Sequence, residues 1–253
     1  MKRSTRTNLI TYLGVVIAFI AIVILRDSGG LSRSLTGQLV PICCYMSMAV
    51  SLNLTVGILG ELSLGHAGFM SVGAFSGVIA AMSLQSAIPS DALRLAVAMI
   101  VGAAVAAVAG VIIGTPVLRL RGDYLAIVTL AFGEIIKELV NCLLVGWDSR
   151  GLHVTLNLTG DKSIADLGLE TEGIAIIKGA QGATGTATIS TFAAGFVLVL
   201  ITLFVVLNLK DSRAGRAIMA LRDNSIAAES VGLNLTKYKL MAFVTSAALA
   251  GAS

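Results

Sequence analysis

ISTFAAGFVLVLITLFVVLNL (residues 189–209) runs directly into KDSRAGRAIMALRDNSIAAESVGLNLTKYK (210–239), and this junction decides the fold. The first stretch is 21 residues without a charge. A helix needs about 20 such residues to cross a hydrocarbon core of about 30 Å. The second is polar, with six bases (Lys210, Arg213, Arg216, Arg222, Lys237, Lys239) against three acids (Asp211, Asp223, Glu229), and another apolar run follows from Leu240. A charged segment this long between two apolar runs is more than a connector. Asp211, residues 214–221 and residues 224–231 read as short helical pieces, with Gly232 and then Asn234 as a stop. The segment predicts a surface that a cytoplasmic component grips.

Composition extends this reading to the whole chain. It is 56% hydrophobic and 13% charged, with a mean hydropathy of +0.92, whereas soluble domains carry about 25% charged residues. The fold class expected is all-α: a polytopic transmembrane helical bundle forming a single domain over residues 1–253. Apolar runs at 8–25, 35–59, 62–84, 93–118, 124–145 and 189–209, with one more from 240, predict six to seven spans. Lys2, Arg3 and Arg6 before the first run resemble a signal peptide, but Arg26-Asp27-Ser28 offers no small-residue cleavage site, so an uncleaved span is expected. The final run of 14 residues (240–253) makes about 21 Å of helix, short of a full crossing, which predicts a C-terminally incomplete chain.

Alternating these spans from a cytoplasmic N-terminus places eleven bases inside: Lys2, Arg3, Arg6, Arg119, Arg121 and the six of 210–239. Six fall outside (Arg26, Arg33, Arg94, Arg150, Lys162, Lys178), while Lys137 lies within a span. The excess of basic residues on the cytoplasmic side selects this topology over its inverse. Residues 146–190 then form an external loop with five acids, Asp148, Asp161, Asp166, Glu170 and Glu172, against three bases. Alternation at 153–158 predicts a short strand there. The acidity is that of a solvated face or of a recognition surface for an external partner.

Several function classes drop out. No basic tract interleaved with aromatics points to nucleic acid. Cys43, Cys44 and Cys142 lie in apolar runs and read as small buried hydrophobes. His66 and His153 are too far apart in sequence to suggest a metal site. No Gly is followed by Lys, so no P-loop is present, and any nucleotide hydrolysis belongs to another polypeptide.

LNLTVGILGELSLGHAGFMSVGA (52–74) is rich in glycine, and Gly73 and Gly77 form a close-packing G-x-x-x-G pair, as do Gly110 and Gly114. Tight helix packing explains each glycine singly. Asn53, Glu61, Ser63 and His66 at a glycine-weakened span junction point further, because broken helices beside a membrane pathway expose backbone groups to polar solutes. His66 is open to two readings, a packing hydrogen bond or a place in a pathway. Glu134 lies near the middle of the 124–145 run, where an unpaired charge costs at least about 2.5–3.5 kcal/mol. Lys137, three residues on, can pair with it on one helix face, and pairing and pathway lining both stay open.

Three blocks carry a family resemblance: residues 52–74, RLRGDYLAIVTLAFGEII (119–136) and GRAIMALRDNSIAAESVGLNLTKYKLMAF (215–243). Together they resemble the membrane permeases of bacterial branched-chain amino-acid ABC importers, the LivM type. The resemblance implies a multi-pass subunit of the bacterial cytoplasmic (inner) membrane that carries leucine, isoleucine or valine. Its implied partners are two ATPase subunits that bind ATP, a related permease in a heterodimer, and an extracytoplasmic solute-binding protein. The chain itself would hold no cofactor and perform no catalysis. The family's ATPase-coupling segment follows E-A-A-x-x-x-G; here Ala227, Ala228 and Gly232 match, and Ile226 stands where the glutamate usually does. Gly215, Arg216, Arg222 and Asp223 complete the coupling set, and Asn53, Ser63, Gly65, His66, Gly68 and Glu134 are the pathway candidates. In the external loop, a family G-G-P-x-G-I pattern is reduced to Ser149-Arg150-Gly151-Leu152. Urea and short-amide permeases share these motifs. From other classes, an ion-coupled transporter would use Glu134 as its coupling carboxylate, and a membrane enzyme would use Glu61 with His66, or Glu134.

Overall fold

The computed structural model describes residues 3–30, 32–85, 87–120, 122–148, 151–157, 174–183 and 188–253; the side chains of residues 3–7, 123 and 174 are also outside the description. The bases expected at Lys2, Arg3, Arg6, Arg121, Arg150 and Lys162, the acids at Asp161, Asp166, Glu170 and Glu172, and the Ser149-Arg150 pair thus lie outside it.

Helices dominate: α1 (Arg3–Asp27), α2 (Arg33–Asn53), α3 (His66–Ser83), α4 (Asp91–Val117), α5 (Asp123–Asn141), α6 (Phe192–Asp211), α7 (Arg213–Asp223), α8 (Ser225–Ser230) and α9 (Leu235–Ala252). Among the described residues, five segments are long and apolar enough to cross a membrane: Asn8–Asp27, Arg33–Leu59, His66–Ser83, Asp91–Val117 and Phe192–Asp211. Two further runs counted as spans from the sequence differ. α5 carries Glu134, Lys137 and Glu138, and α9 opens with Lys237 and Lys239 in its first turns.

The centre is the α3–α4–α9 trio. Its core gathers Phe69, Ala106, Ile113, Val117, Phe243, Ala247 and Ala250, with the Phe69 and Phe243 rings edge to face at 5.5 Å. Small residues make this approach possible, since lipid tails supply no hydrophobic drive between helices and close van der Waals contact must hold them. Gly110 and Gly114, expected to pack, face Ala247 and Phe243 of α9. A second layer pairs α2 with α6 through Leu39, Cys43, Phe192, Val199 and Leu203, with α1 outside it. The buried Ser47 and Thr202 hydroxyls join these two helices at 2.7 Å.

The 124–145 run does not stay helical. α5 stops at Asn141, and residues 143–148 form β1 (Leu143–Asp148), the middle strand of a three-stranded antiparallel sheet with β2 (Gly151–Leu156) and β3 (Ile174–Lys178). β2 matches the predicted strand to within two residues at each end. LLVGWD is apolar because Val145, Ile176 and Ile177 bury against Phe75, Val78, Ile79 and Met82 of α3, not because it faces lipid. The shorter α5 is 19 residues, roughly 28 Å, and Glu134 stays within a turn of its middle, slightly toward the sheet end.

Candidate functional site

The architecture is interrupted at one place. α2 continues into a π-helix, Leu54–Leu59, and Gly60 stops it in the left-handed region at φ 79°. Residues 60–65 then run without helix until α3 begins at His66, four residues later than the apolar run suggested. π-helical turns inside α-helices are frequent at functional sites. Freed backbone groups here are recaptured locally: the Gly60 and Glu61 amides donate to the Thr55 carbonyl, and the Leu64 amide donates to Thr129 Oγ1 of α5 at 3.1 Å. Thr129 packs so closely that a Cβ on Gly65 would lie 2.0 Å from its carbonyl oxygen. Thr129 carries no mark in the sequence, where a hydroxyl among apolar neighbours reads as neutral filling.

His66 is packed against two serines, while its Nδ1 has no hydrogen-bond partner among the described residues. It is 3% exposed, and its Nε2 lies 3.2 Å from Ser51 Oγ and 3.1 Å from Ser246 Oγ. Ser51 donates its own proton to the Met48 carbonyl and Ser246 donates to the Ser51 carbonyl. Both serine oxygens therefore accept, and the shared proton is the one on Nε2. The node ties α2, α3 and α9 together behind the break. Ser63, also buried, has no hydrogen-bond partner for its hydroxyl among the described residues. Asn53 is exposed, its side-chain oxygen lying against Gly57.

Gly65, Gly68 and Glu134 come together. They line an open groove of about 240 Å³ between α3 and α5 that also includes Leu64, Ser71 and Lys137. Glu134 and Lys137 pair at 2.5 Å with side chains 60% and 57% exposed, so the ion pair expected from the sequence forms, and it forms on the rim of the groove. Asn53, Ser63 and His66 are not among the groove's lining residues.

The polar segment folds into an elbow. Side-chain oxygens cap three successive helices, each accepting a backbone amide at 3.0 Å: Ser212 from Gly215, Asn224 from Ala227, and Asn234 from Lys237. Asn234, read as part of a stop, thus starts α9. Gly232, at φ 86°, ends α8: its amide donates to the Glu229 carbonyl and the Leu233 amide to the Ala228 carbonyl, the pattern that closes many helices. The inner face of α7 (Gly215, Ile218, Leu221) is buried, with Ile218 packing on Leu54, Ile58 and Leu59 of the π-helix. Ala228 is buried and Ala227 exposed. Ile226 and Val231 stand 76% and 77% exposed.

Of the elbow charges, Arg216 donates to the Asp211 carbonyl at 3.0 Å. Arg222 reaches the break: Nη1 donates to the Gly57 carbonyl at 2.9 Å, while Nε and Nη2 donate to Asp223 Oδ1. Its Cγ occupies the space that a Cβ on Gly60 would need. A second tie, unmarked in the sequence, joins Lys239 Nζ to Glu61 Oε1, with side chains only 12% and 15% exposed.

Comparisons with known proteins identify the family. The family model described as branched-chain amino acid transport system / permease component matches residues 34–253. Two proteins named high-affinity branched-chain amino acid transport system permease protein LivM are similar. The one from Salmonella typhimurium (strain LT2) is 35% identical over 217 residues, 82% of this chain and 48% of its own length. The one from Escherichia coli (strain K12) is 34% identical over the same number of residues and with the same shares. The chain spans about half the length of these curated relatives. No solved structure matches it. With its apolar helices, broken second span and helical elbow, this multi-pass chain belongs to the family of branched-chain amino acid transport system permease components.

Proposed function

We propose that the chain is a permease subunit of an ATP-driven importer that carries leucine, isoleucine or valine across the bacterial inner membrane. In this reading the N-terminus and residues 210–239 face the cytoplasm, residues 146–190 face outward, and the chain does no chemistry. Two ATPase subunits drive it, a related permease completes the pathway, and an extracytoplasmic binding protein delivers the amino acid. The observation that carries the proposal is the elbow. Its inner apolar face is buried on the broken helix, and its outer tip presents Ile226 and Val231 at about three-quarters exposure. An apolar tip on a capped polar segment suits a protein partner, and ATP-driven closure requires that partner to bind two states of the elbow differently.

Reconstitution with a sister permease, the ATPases and the binding protein tests this, with radiolabelled leucine and ATP. Uptake that follows ATP and not a proton or sodium gradient supports the reading, as does competition by isoleucine and valine. Uptake driven by an ion gradient alone selects an ion-coupled carrier, and competition by urea selects a short-amide permease. In the same assay, Glu134→Gln is expected to lower transport about tenfold, within the usual span of coupling energies, at unchanged membrane abundance. Glu134 and its partner are exposed on a groove rim, so the fold does not depend on the pair. Equal loss of abundance and transport would leave Glu134 a structural role alone.

A further inference from the structure

Glu61 and Lys239, 178 positions apart, meet part-buried beside the break, on the wall of an open cavity of about 430 Å³ that Gly60, Leu221 and Arg222 also line. Glu61 belongs to the non-helical residues 60–65, whose backbone is fixed at few points. At the near end the Glu61 amide donates to Thr55, and at the far end the Leu64 amide donates to Thr129 of α5. Lys239 sits in the second turn of α9, which Asn234 caps two residues after the Gly232 turn of the elbow. α9 and α8 are therefore joined by a short turn held at both sides. Among the described side chains, the other charges at this cavity are Arg222, committed to the Gly57 carbonyl, and its neighbour Asp223. Neither Lys239 nor Glu61 forms another ion pair among the described residues.

We propose that the Glu61–Lys239 ion pair is a positioning contact that carries motion of the elbow into residues 60–65, and through them to the groove at Gly65 and Glu134. The inference rests on the transport reading. When a partner shifts the elbow, α9 shifts its first turns, and a part-buried ion pair resists separation because pulling it apart leaves two largely covered charges without a partner. Residues 60–65 follow Lys239 at one end and pivot on Thr129 at the other. Arg222 pulls on the preceding π-helix through Gly57, so the two ties grip either side of Gly60, the residue where the helix breaks.

The test uses the complete transporter with its sister permease, ATPases and binding protein in vesicles, and reads leucine transported per ATP hydrolysed. Glu61→Gln and Lys239→Met are each expected to lower that ratio about tenfold, while hydrolysis stays within about twofold. The double exchange Glu61→Lys with Lys239→Glu restores the pair in reverse and is expected to recover at least about half of the ratio. It also carries the test if the single variants fail to reach the membrane. Ratios equal to wild type in the single variants would overturn the proposal, and so would an exchange variant that reaches the membrane but does not recover. A wild-type complex that takes up no leucine with ATP would instead sink the transport reading beneath it.

Discussion

Gly73→Val is expected to reduce folded protein in the membrane by at least an order of magnitude, because it strikes where three helices touch backbone to backbone. A Cβ on Gly73 would lie 2.1 Å from the Gly251 carbonyl oxygen and 2.3 Å from its Cα. Gly102, on the third helix, would meet the carbonyl oxygens of both Gly73 and Gly251 at 2.8 Å, and Gly251 would meet the Ala106 Cβ at 2.2 Å. None of these obstacles can rotate aside, since each is backbone or the Cβ of an alanine, so α3, α4 and α9 must separate. Overpacking a core costs about 1–3 kcal/mol even where side chains can yield, and every 1.4 kcal/mol is about tenfold in an equilibrium. Separation also forfeits the van der Waals contact that substitutes for hydrophobic drive between helices in lipid. Gly77→Ala is the matched control. Its Cβ would stand 3.3 Å from the Ala98 carbonyl oxygen, a contact relieved by a few tenths of an ångström, so abundance is expected to stay within about twofold. Membrane abundance and protease resistance in detergent measure both. A Gly73→Val protein as abundant and resistant as wild type would show that the trio is held elsewhere.

The contrast between these two glycines marks how far sequence reasoning reached. The G-x-x-x-G spacing of Gly73 and Gly77 was legible as packing, but not which of the two carries the close approach, since Gly251 lies 178 positions from Gly73 and outside any motif. The apolar helices and the polar elbow were legible for a plain reason: hydropathy over about 20 residues is a local property. The strand Leu143–Asp148 was not, because a short apolar run buried on both sides has the same composition as the last turn of a spanning helix. His66 was readable only as a packing hydrogen bond or a pathway residue, and its partners were not readable, with Ser51 on the preceding helix and Ser246 at the far end of the chain. Glu61 and Lys239 each had a sufficient local explanation near a membrane boundary, and that hid their pairing. In the elbow the caps were half legible. Asn234 was recognised as a boundary residue, but its side chain closes the start of α9 where a helix stop was expected.

Gly232→Val is expected to uncouple the elbow, lowering leucine transported per ATP about tenfold, while Gly232→Asn is expected to remain near wild type. The pair of substitutions isolates one cause. Nothing lies within 4 Å of a Cβ built on Gly232, so neither side chain clashes, and what differs is tolerance of φ 86°. A left-handed conformation costs an ordinary L-residue roughly 1–2 kcal/mol, and asparagine is among the few that visit it routinely. A β-branched valine flips out, and with it go the Gly232 and Leu233 amides that close α8 on the Glu229 and Ala228 carbonyls. The exposed Ile226–Val231 tip then no longer holds a fixed angle to α9, so a push delivered at the tip is absorbed by the turn. Arg222→Glu attacks the same path from the inner side. It removes the donor to the Gly57 carbonyl and sets a second carboxylate beside Asp223, and the same loss of coupling is expected with the subunit still in the membrane. Because Gly232 sits on the surface far from the core clusters, abundance is the discriminating control for both variants. If Gly232→Val reaches normal abundance and moves leucine per ATP as wild type does, the elbow is a tether and the push enters this subunit elsewhere. If asparagine fails as badly as valine, the turn's conformation is not the quantity that coupling depends on.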